Sequence, residues 1–150
     1  MAVEFITKKI KNGLMAVLKT VEATENGTKI QEVTDTTVKQ FVAYPSVRVL
    51  PNDLDNSPET NRSDSRVAGF TLLVHIELEN TPESESDAFD TMYDLQDAIT
   101  QKLAEYDWTN SLNILSVNVT TGNWEVLEMQ TGLNLVFRMD VAASYSHKIY

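Results

Sequence analysis

A strand followed directly by a helix, between Arg66 and Trp108, constrains the fold more than any other part of this sequence. Alternate positions of its first half are apolar, namely Ala68, Phe70, Leu72, Val74, Ile76 and Leu78. This period of two predicts a strand with one buried face. Thr81 and Pro82 then predict a helix start, as N-cap and first helical residue. The next apolar residues recur every three or four positions, at Ala88, Met92, Leu95, Ile99 and Leu103. The unit therefore predicts a helix packed on the apolar face of a sheet.

The other face of this strand is mostly polar and includes His75, Glu77 and Glu79. These three residues could suggest a metal site or an acid–base pair. A catalytic zinc site commonly needs three protein ligands with supporting groups, and the only other histidine is His147, near the end of the sequence. We therefore expect a solvated polar strand face at His75 and no metal site.

The remaining chain predicts one further helix and several strands. A helix is expected over residues 3–23, and a solvated edge strand or loop over 29–41. Later strands are expected at 42–51, at 111–120 and 123–131 around a turn at Thr121-Gly122, and from Gly132 onward. The element order is thus α-β-β-α-β-β-β. Few connections have room for a helical crossover, so we predict a single α+β domain over 1–150, with a mainly antiparallel β-sheet and two α-helices packed on it.

The segment Asn52–Ser65 is polar and lacks any periodic pattern. Loops of this length are usually functional or disordered, so we expect a mobile loop that joins two strands of a long hairpin. Its charged residues are the candidate assembly-loop residues Asp53, Asp55, Glu59, Arg62 and Asp64. An EF-hand-like count places Pro58 where a calcium loop needs Gly, which argues against calcium binding.

Charge and composition exclude several classes of protein. The net charge is −10, and residues 51–100 carry twelve acidic and two basic groups, with no Lys or Arg between Arg66 and Lys102. Such a surface repels nucleic acid. The sequence has no Cys and no apolar run of transmembrane length, so we expect a soluble intracellular protein without membrane contact. We find no phosphate loop, nucleophile elbow or zinc helix motif, and we expect neither a cofactor nor enzymatic activity.

One charged pattern needs a separate explanation. Four aspartates fall on one side of the second helix, at Asp87, Asp90, Asp94 and Asp97. Like charges at these spacings cost a few tenths of a kcal/mol per pair, or about 0.2–0.5 kcal/mol. The stripe is either a solvated face, a surface that meets a basic partner, or the lining of a passage that polyanions cross without binding.

The N-terminal helix, the segment Tyr44–Val49, the polar loop, the strand at 66–79 and the helix at 87–106 resemble the tail-terminator and head–tail joining proteins of long-tailed bacteriophages. The resemblance rests on element order and length. It implies a homo-oligomeric ring, usually hexameric, that caps the tail tube, ends its polymerisation and docks on the head connector or head-completion protein. DNA would pass through the ring without specific binding. The implied location is the virion tail or neck, after assembly in the host cytoplasm.

A ring subunit needs two different surfaces that complement each other. We expect one candidate pair to be the basic side of the first helix, with Lys8, Lys9 and Lys11, and the stripe Asp87, Asp90, Asp94 and Asp97. Two other classes remain open, a small α+β enzyme and a small-ligand-binding or regulatory α+β domain.

Overall fold

The computed structural model describes residues 6–22, 27–52, 65–106, 114–129 and 132–146 of the chain. Their elements follow in the order α1 (Ile6–Leu18), β1 (Glu32–Thr34), β2 (Ser46–Pro51), β3 (Ser65–Leu78), α2 (Pro82–Glu105), β4 (Ile114–Met129) and β5 (Gly132–Ser146). The α+β fold is confirmed. Among these residues, no helix has both the length and the apolar character needed to span a membrane.

The five strands form one sheet in the order β1-β2-β3-β5-β4. Only the short pair β1–β2 is parallel, and the other three pairs are antiparallel, as predicted. The long pairing of β3 with β5 forms the centre of the sheet. This arrangement leaves β1 and β4 at the two opposite edges.

Both helices cover the same face of the sheet, which we call the helix face. The core contains the predicted apolar positions of β3 and, from β5, Leu135, Phe137, Met139, Val141 and Ala143. Helix α1 contributes Ile10, Leu14, Val17 and Leu18. Its stripe confirms the predicted helix, although α1 ends at Leu18 rather than near residue 23.

Helix α2 begins as predicted. The Thr81 hydroxyl oxygen accepts a hydrogen bond from the Ser84 N–H at 3.2 Å, and Pro82 occupies the first helical position, where its missing N–H costs nothing. The predicted stripe from Ala88 to Leu103 is buried, together with Ala98. Caps and spacing therefore fix both the start and the orientation of this helix.

The predicted turn at Thr121-Gly122 is wrong. Strand β4 continues through it as one strand of 16 residues, and its register against β5 shifts between Thr121 and Trp124. This shift is a β-bulge, which accommodates extra residues without ending the ladder. A side chain at Gly122 would come within 3.3 Å of the Arg138 carbonyl oxygen, so the close approach of β5 favours glycine here.

The region 29–41, expected as an edge strand or loop, contains both. Its strand part is β1, only three residues long. The element order therefore has three strands before α2 and two after it, rather than the predicted two and three. Residues 35–45 connect β1 to β2, and we call this connection the strap.

Candidate functional site

The strap crosses the face of the sheet opposite the helices, which we call the back face. Its anchor is Phe41, which is 5% exposed. The Phe41 ring meets the His75 ring edge-on, with the two centroids 5.3 Å apart. The Arg48 guanidinium lies over the same aromatic ring, 4.4 Å from its centroid. Phe41 is therefore held between a side chain of β2 and one of β3.

Arg48 ties the strap to the sheet through its main chain. Its guanidinium donates hydrogen bonds to the Thr36 carbonyl at 2.8 Å and to the Lys39 carbonyl at 2.6 Å. Burial lowers the pKa of Arg48, but a guanidinium remains charged at neutral pH. Hydrogen bonds from a charged donor are stronger than neutral ones, so Arg48 fixes the course of the strap.

Glu32 fixes the far end of the strap. Its carboxylate accepts hydrogen bonds from the Val42 N–H at 2.7 Å and the Ala43 N–H at 2.9 Å. These bonds, first Ala43 and then Val42, lower the pKa of Glu32 because they stabilise the ionised form. Lys39 adds a salt bridge to Glu32 at 3.6 Å. The backbone at Val42 is therefore held in place although the Val42 side chain is 91% exposed.

His75 is not on a solvated face, and that prediction is wrong. The strap covers it, and its side chain is 4% exposed. Its Nδ1 lies 3.4 Å from Asn134 Oδ1, and the Asn134 amide nitrogen donates to the Leu133 carbonyl at 2.8 Å. The amide oxygen thus faces the ring, which places the imidazole proton on Nδ1.

The second ring nitrogen of His75, Nε2, is buried without a hydrogen-bond partner among the described residues. Burial lowers the pKa of His75, and the nearby charge of Arg48 lowers it further, while the Asn134 contact acts in the opposite direction. The ring is therefore neutral at pH 7. Glu77 is exposed and Glu79 lies beyond the end of β3, so these carboxylates do not surround it.

A second polar cluster lies on the back face. Asn52 Nδ2 donates to Thr71 Oγ1 at 2.9 Å and to Asp140 Oδ1 at 3.0 Å. The same Asp140 oxygen accepts from Thr71 Oγ1 at 3.1 Å and from Arg138 Nε at 2.9 Å. The cluster fixes the chain where it leaves β2. The sequence analysis does not predict this cluster. The available signal is a polar residue within each of two largely apolar strands, Thr71 of β3 and Asp140 of β5, which lie opposite each other.

Within the polar segment Asn52–Ser65, the structure describes Asn52 and Ser65. Its candidate assembly residues, Asp53, Asp55, Glu59, Arg62 and Asp64, lie outside the described residues. The strands that it joins, β2 and β3, do form the antiparallel hairpin that the sequence predicts.

The back face also carries an open groove beside the bulge of β4. Its volume is about 590 Å³, and its lining includes Leu73, Val136, Arg138 and Trp124. A smaller groove of about 410 Å³ lies at the end of the strap. Its lining includes Val42, Tyr44, Pro45, Ile76 and Thr91.

The aspartate stripe lies on the outer side of α2. Three of its members, Asp87, Asp90 and Asp97, are exposed, and Asp94 is half-buried. The candidate basic surface on α1 is smaller than the sequence suggested, because Lys11 makes a salt bridge at 2.8 Å with Asp35 of the same chain. Lys8 and Lys9 are exposed. The contact between stripe and lysines across subunits stays a prediction.

The exposed large apolar side chains fall mainly into two groups. One group belongs to the strap, where Val38 is 84% and Val42 is 91% exposed. The other lies beside β4, where Tyr93, Trp124 and Val126 are between 40% and 58% exposed. Trp124 packs edge-on against Phe89 of α2, with ring centroids 4.7 Å apart. We call these groups the strap patch (Val38, Val42) and the β4 patch (Tyr93, Trp124, Val126).

Within the described ranges, no three His, Asp or Glu side chains are grouped so that they could hold a metal ion. No protein-family model matches the chain, and no curated protein matches its sequence.

Proposed function

We propose that this chain is a structural subunit of a homo-oligomeric ring at the head–tail junction of a long-tailed bacteriophage, of the tail-terminator type. The observation that carries the proposal is the aspartate stripe, three of whose four members are exposed on the outer side of α2. The chain also has the predicted α+β fold. The ring would cap the tail tube, end its polymerisation and dock on the head connector.

The stripe supports this role because it costs stability within the subunit. Aspartates three and four positions apart on a helix repel each other by a few tenths of a kcal/mol per pair, or about 0.2–0.5 kcal/mol. In the described part of the chain, the salt bridges involve other carboxylates, on Glu22, Glu32, Asp35 and Asp140. A negative wall repels phosphates, so DNA could move past it without binding.

The lining role of the stripe is favoured over a contact with α1. Lys11 is already paired with Asp35, so α1 offers Lys8 and Lys9, which form no salt bridge with another described residue, against four aspartates. Exposed ion pairs contribute only about 0–1 kcal/mol each. Two such pairs are too weak to hold a ring together without an apolar contact.

The ring itself is tested first. The purified wild-type chain is measured by sedimentation velocity and native mass spectrometry over a wide concentration range, and its particles are imaged for a central hole. It is then added to growing tail tubes that polymerise from purified tube protein. We expect a closed ring that binds tube ends and shortens the tubes. A chain that stays monomeric, or a ring that leaves tube length unchanged, would refute the proposal.

The two roles of the stripe are separated by charge reversal. In one variant, Lys8 and Lys9 are both replaced by Glu, and Lys11 is retained because it has an intrachain partner. If the stripe lines the passage, the ring persists and its salt dependence is unchanged. If the lysines meet the stripe, the variant dissociates at low salt, where repulsion is strongest.

A matched variant replaces the four stripe aspartates by Asn. It should retain the ring and bind double-stranded DNA more tightly, with a gel-shift midpoint that moves at least tenfold at low salt. Replacing the exposed Glu77 and Glu79 by Gln, both outside α2, measures the shift per charge removed elsewhere on the surface. An equal shift per charge in that control would mean that net charge, rather than the stripe, decides DNA exclusion.

A further inference from the structure

The strap is attached to the back face by few contacts. Residues 35–42 are exposed apart from Phe41, whose ring lies between Arg48 and His75. Side chains of the sheet hold its backbone, since Arg48 donates to two strap carbonyls and Glu32 accepts from two strap N–H groups. Strands β3 and β5, by contrast, pair along the whole length of β3. The strap can therefore open at a lower free-energy cost than the sheet.

The ring beneath Phe41 is stable there only while it is neutral. The Nε2 atom of His75 is buried and has no hydrogen-bond partner among the described residues. Protonation turns this nitrogen into an N–H donor of a charged group, and burying such a donor without an acceptor is destabilising. Water supplies the acceptor once the Phe41 ring moves away. Movement of a single strap side chain therefore relieves the buried charge.

The groups that face His75 from the neighbouring strands do not stabilise its protonated form by a negative charge. From β2, the facing charge is the guanidinium of Arg48, which is positive. From β5, the facing group is the uncharged amide of Asn134. Burial lowers the pKa of His75, Arg48 lowers it further, and the Asn134 contact acts in the opposite direction. A protonated ring in the closed structure therefore meets a like charge.

The nearby carboxylates do not offset this charge. On β3 itself, Glu77 is exposed, and no described carboxylate lies within salt-bridge distance of the His75 ring. The charged groups of β1 and the strap are paired with other residues, as Glu32 with Lys39 and Asp35 with Lys11. The uncharged Tyr44 contacts Phe41, with ring centroids 6.1 Å apart.

We propose that the strap is an acid-sensitive cover of the back face, which opens when His75 is protonated while the rest of the subunit stays folded. Residues 35–41 move away from the sheet, and Phe41 and His75 become exposed. Val42 and Ala43 act as the hinge because ionised Glu32 still holds their N–H groups. Those two hydrogen bonds, first Ala43 and then Val42, lower the pKa of Glu32, so it remains ionised at pH 5. The device does not require the ring and operates in a monomer as well.

The size of the effect follows from proton binding in the open and closed forms. An exposed histidine binds a proton as the pH falls below about 6.5, whereas the covered ring does not. Each further pH unit therefore raises the ratio of open to closed strap by up to about tenfold. Between pH 6.5 and 5.0, this ratio should increase by up to about 15-fold.

A thiol placed beneath the strap measures this opening, because the chain contains no native Cys. Ser46 lies opposite His75 in the pairing of β2 with β3 and is fully buried. Ser46→Cys is labelled with a pyridyl disulfide, and its rate is divided by the rate of the same chain unfolded in urea at the same pH. We expect this relative rate to rise at least fivefold from pH 6.5 to 5.0. With His75→Gln added, it should stay constant. An equal rise in both chains, or no rise in either, would overturn the proposal.

The control separates local opening from unfolding of the whole subunit. Ala98 is buried on α2, so Ala98→Cys is labelled only when the core opens. At pH 5.0, Ser46→Cys should react at least tenfold faster than Ala98→Cys. Addition of 1 M urea should accelerate only Ala98→Cys, because global unfolding exposes much more surface. Equal rates with equal urea dependence would mean that the strap opens only by global unfolding, and the proposal would be wrong.

A second measurement needs no engineered thiol. The imidazole Cε1–H resonance of His75 is titrated by NMR, with His147 as the internal comparison. Phe41→Ala removes the cover and should move the titration midpoint of His75 up toward 6.5, while Phe41→Leu should move it less. The midpoint of His147 should stay the same in all three chains. An unchanged midpoint of His75 in folded Phe41→Ala would show that the strap does not keep the ring neutral, and this result too would overturn the proposal.

Discussion

Burial of His75 beneath the strap makes the stability of the fold depend on pH in a defined window. The ring is neutral, its Nδ1 faces Asn134, and its Nε2 lies where no described acceptor reaches it. Protonation would bury an unpaired N–H and a second positive charge close to Arg48. The folded state therefore resists protonation, and the pKa of His75 lies below its ordinary value of 6.5.

The direction of the pH effect follows from proton binding in the two states. In the unfolded chain, a histidine binds a proton as the pH falls below about 6.5. The folded chain does not bind it until the pH reaches the lower pKa of His75. Over that interval the unfolded state holds more protons, so the free energy of unfolding decreases as the pH falls. One group contributes at most about 1.4 kcal/mol per pH unit.

The test compares urea unfolding of wild type and His75→Gln at pH 7.5, 6.5, 5.8 and 5.0. Gln keeps a polar amide near Asn134 but does not titrate. Between pH 6.5 and 5.0, we expect wild type to lose up to about 2 kcal/mol more than the variant. The constant cost of losing the contact with Phe41 cancels, because only the pH dependence is compared.

The matched control is His147→Gln, the other histidine of the chain. It should leave most of the pH dependence intact. If wild type and His75→Gln differ by the same free energy at every pH, then His75 titrates alike in both states. The strap would then not exclude water from the His75 ring, contrary to its burial beneath Phe41.

Three further changes probe the fold. Arg48→Met should lower the free energy of unfolding by about 2 kcal/mol, because hydrogen bonds from charged donors are worth about 1.5–3 kcal/mol each and part of the loss is regained when the buried charge is removed. Hydrogen exchange should accelerate at the strap amides, and unchanged exchange there would contradict the anchoring role of Arg48. Leu72→Ala, at a fully buried position, should lower the free energy of unfolding in urea melts by about 2–5 kcal/mol, and Glu77→Ala, at an exposed position, by less than about 0.5 kcal/mol. Similar decreases in both variants would mean that the faces of β3 are misassigned. Thr81→Ala should lower the free energy of unfolding in thermal melts by about 1 kcal/mol, and Thr81→Ser should lower it much less because Ser keeps the capping hydroxyl. Equal stability of the Ala variant and wild type would show that this N-cap does not stabilise the helix.

The elements that the sequence predicts correctly are those whose determinants are local. The N-cap Thr81 and the spacing of apolar residues fix α2, and strict alternation fixes the buried face of β3. Alternation identifies the apolar face of a strand, but it does not show what covers the opposite face. His75 was therefore misplaced, because its cover comes from the distant strap. The available signal was Phe41, a large aromatic residue at the end of the largely polar stretch 29–41.

The error in β4 has a different physical origin. Thr121-Gly122 is a reasonable turn signal, but a β-bulge uses the same small and flexible residues. The two alternatives differ in pairing across strands, which local sequence does not encode. Strand β5 is 15 residues long and pairs along nearly the whole of β4, so a continuous β4 retains hydrogen bonds that an extra hairpin would lose.

The candidate surfaces also differ in how well the sequence predicts them. The aspartate stripe is visible from helical spacing alone. The strap and β4 patches are not, because each depends on which apolar side chains the fold leaves exposed. Trp124 is half exposed and in contact with Phe89. An interface role accounts for both facts, since the ring is already ordered by Phe89 and still has apolar surface to bury.

The aspartate stripe restricts how copies of the subunit can be arranged around a passage. The helix face and the back face are the two broad surfaces of the subunit. These two surfaces differ in charge. The outer side of α2 carries the four aspartates, none of them in a salt bridge among the described residues. On the back face, Arg138 and Arg48 offset part of the negative charge of Asp140, Glu77 and Glu125. A passage for DNA requires a wall that repels phosphate, and the helix face meets this requirement better. In our proposal, α2 therefore lines the passage and the strap side faces outward.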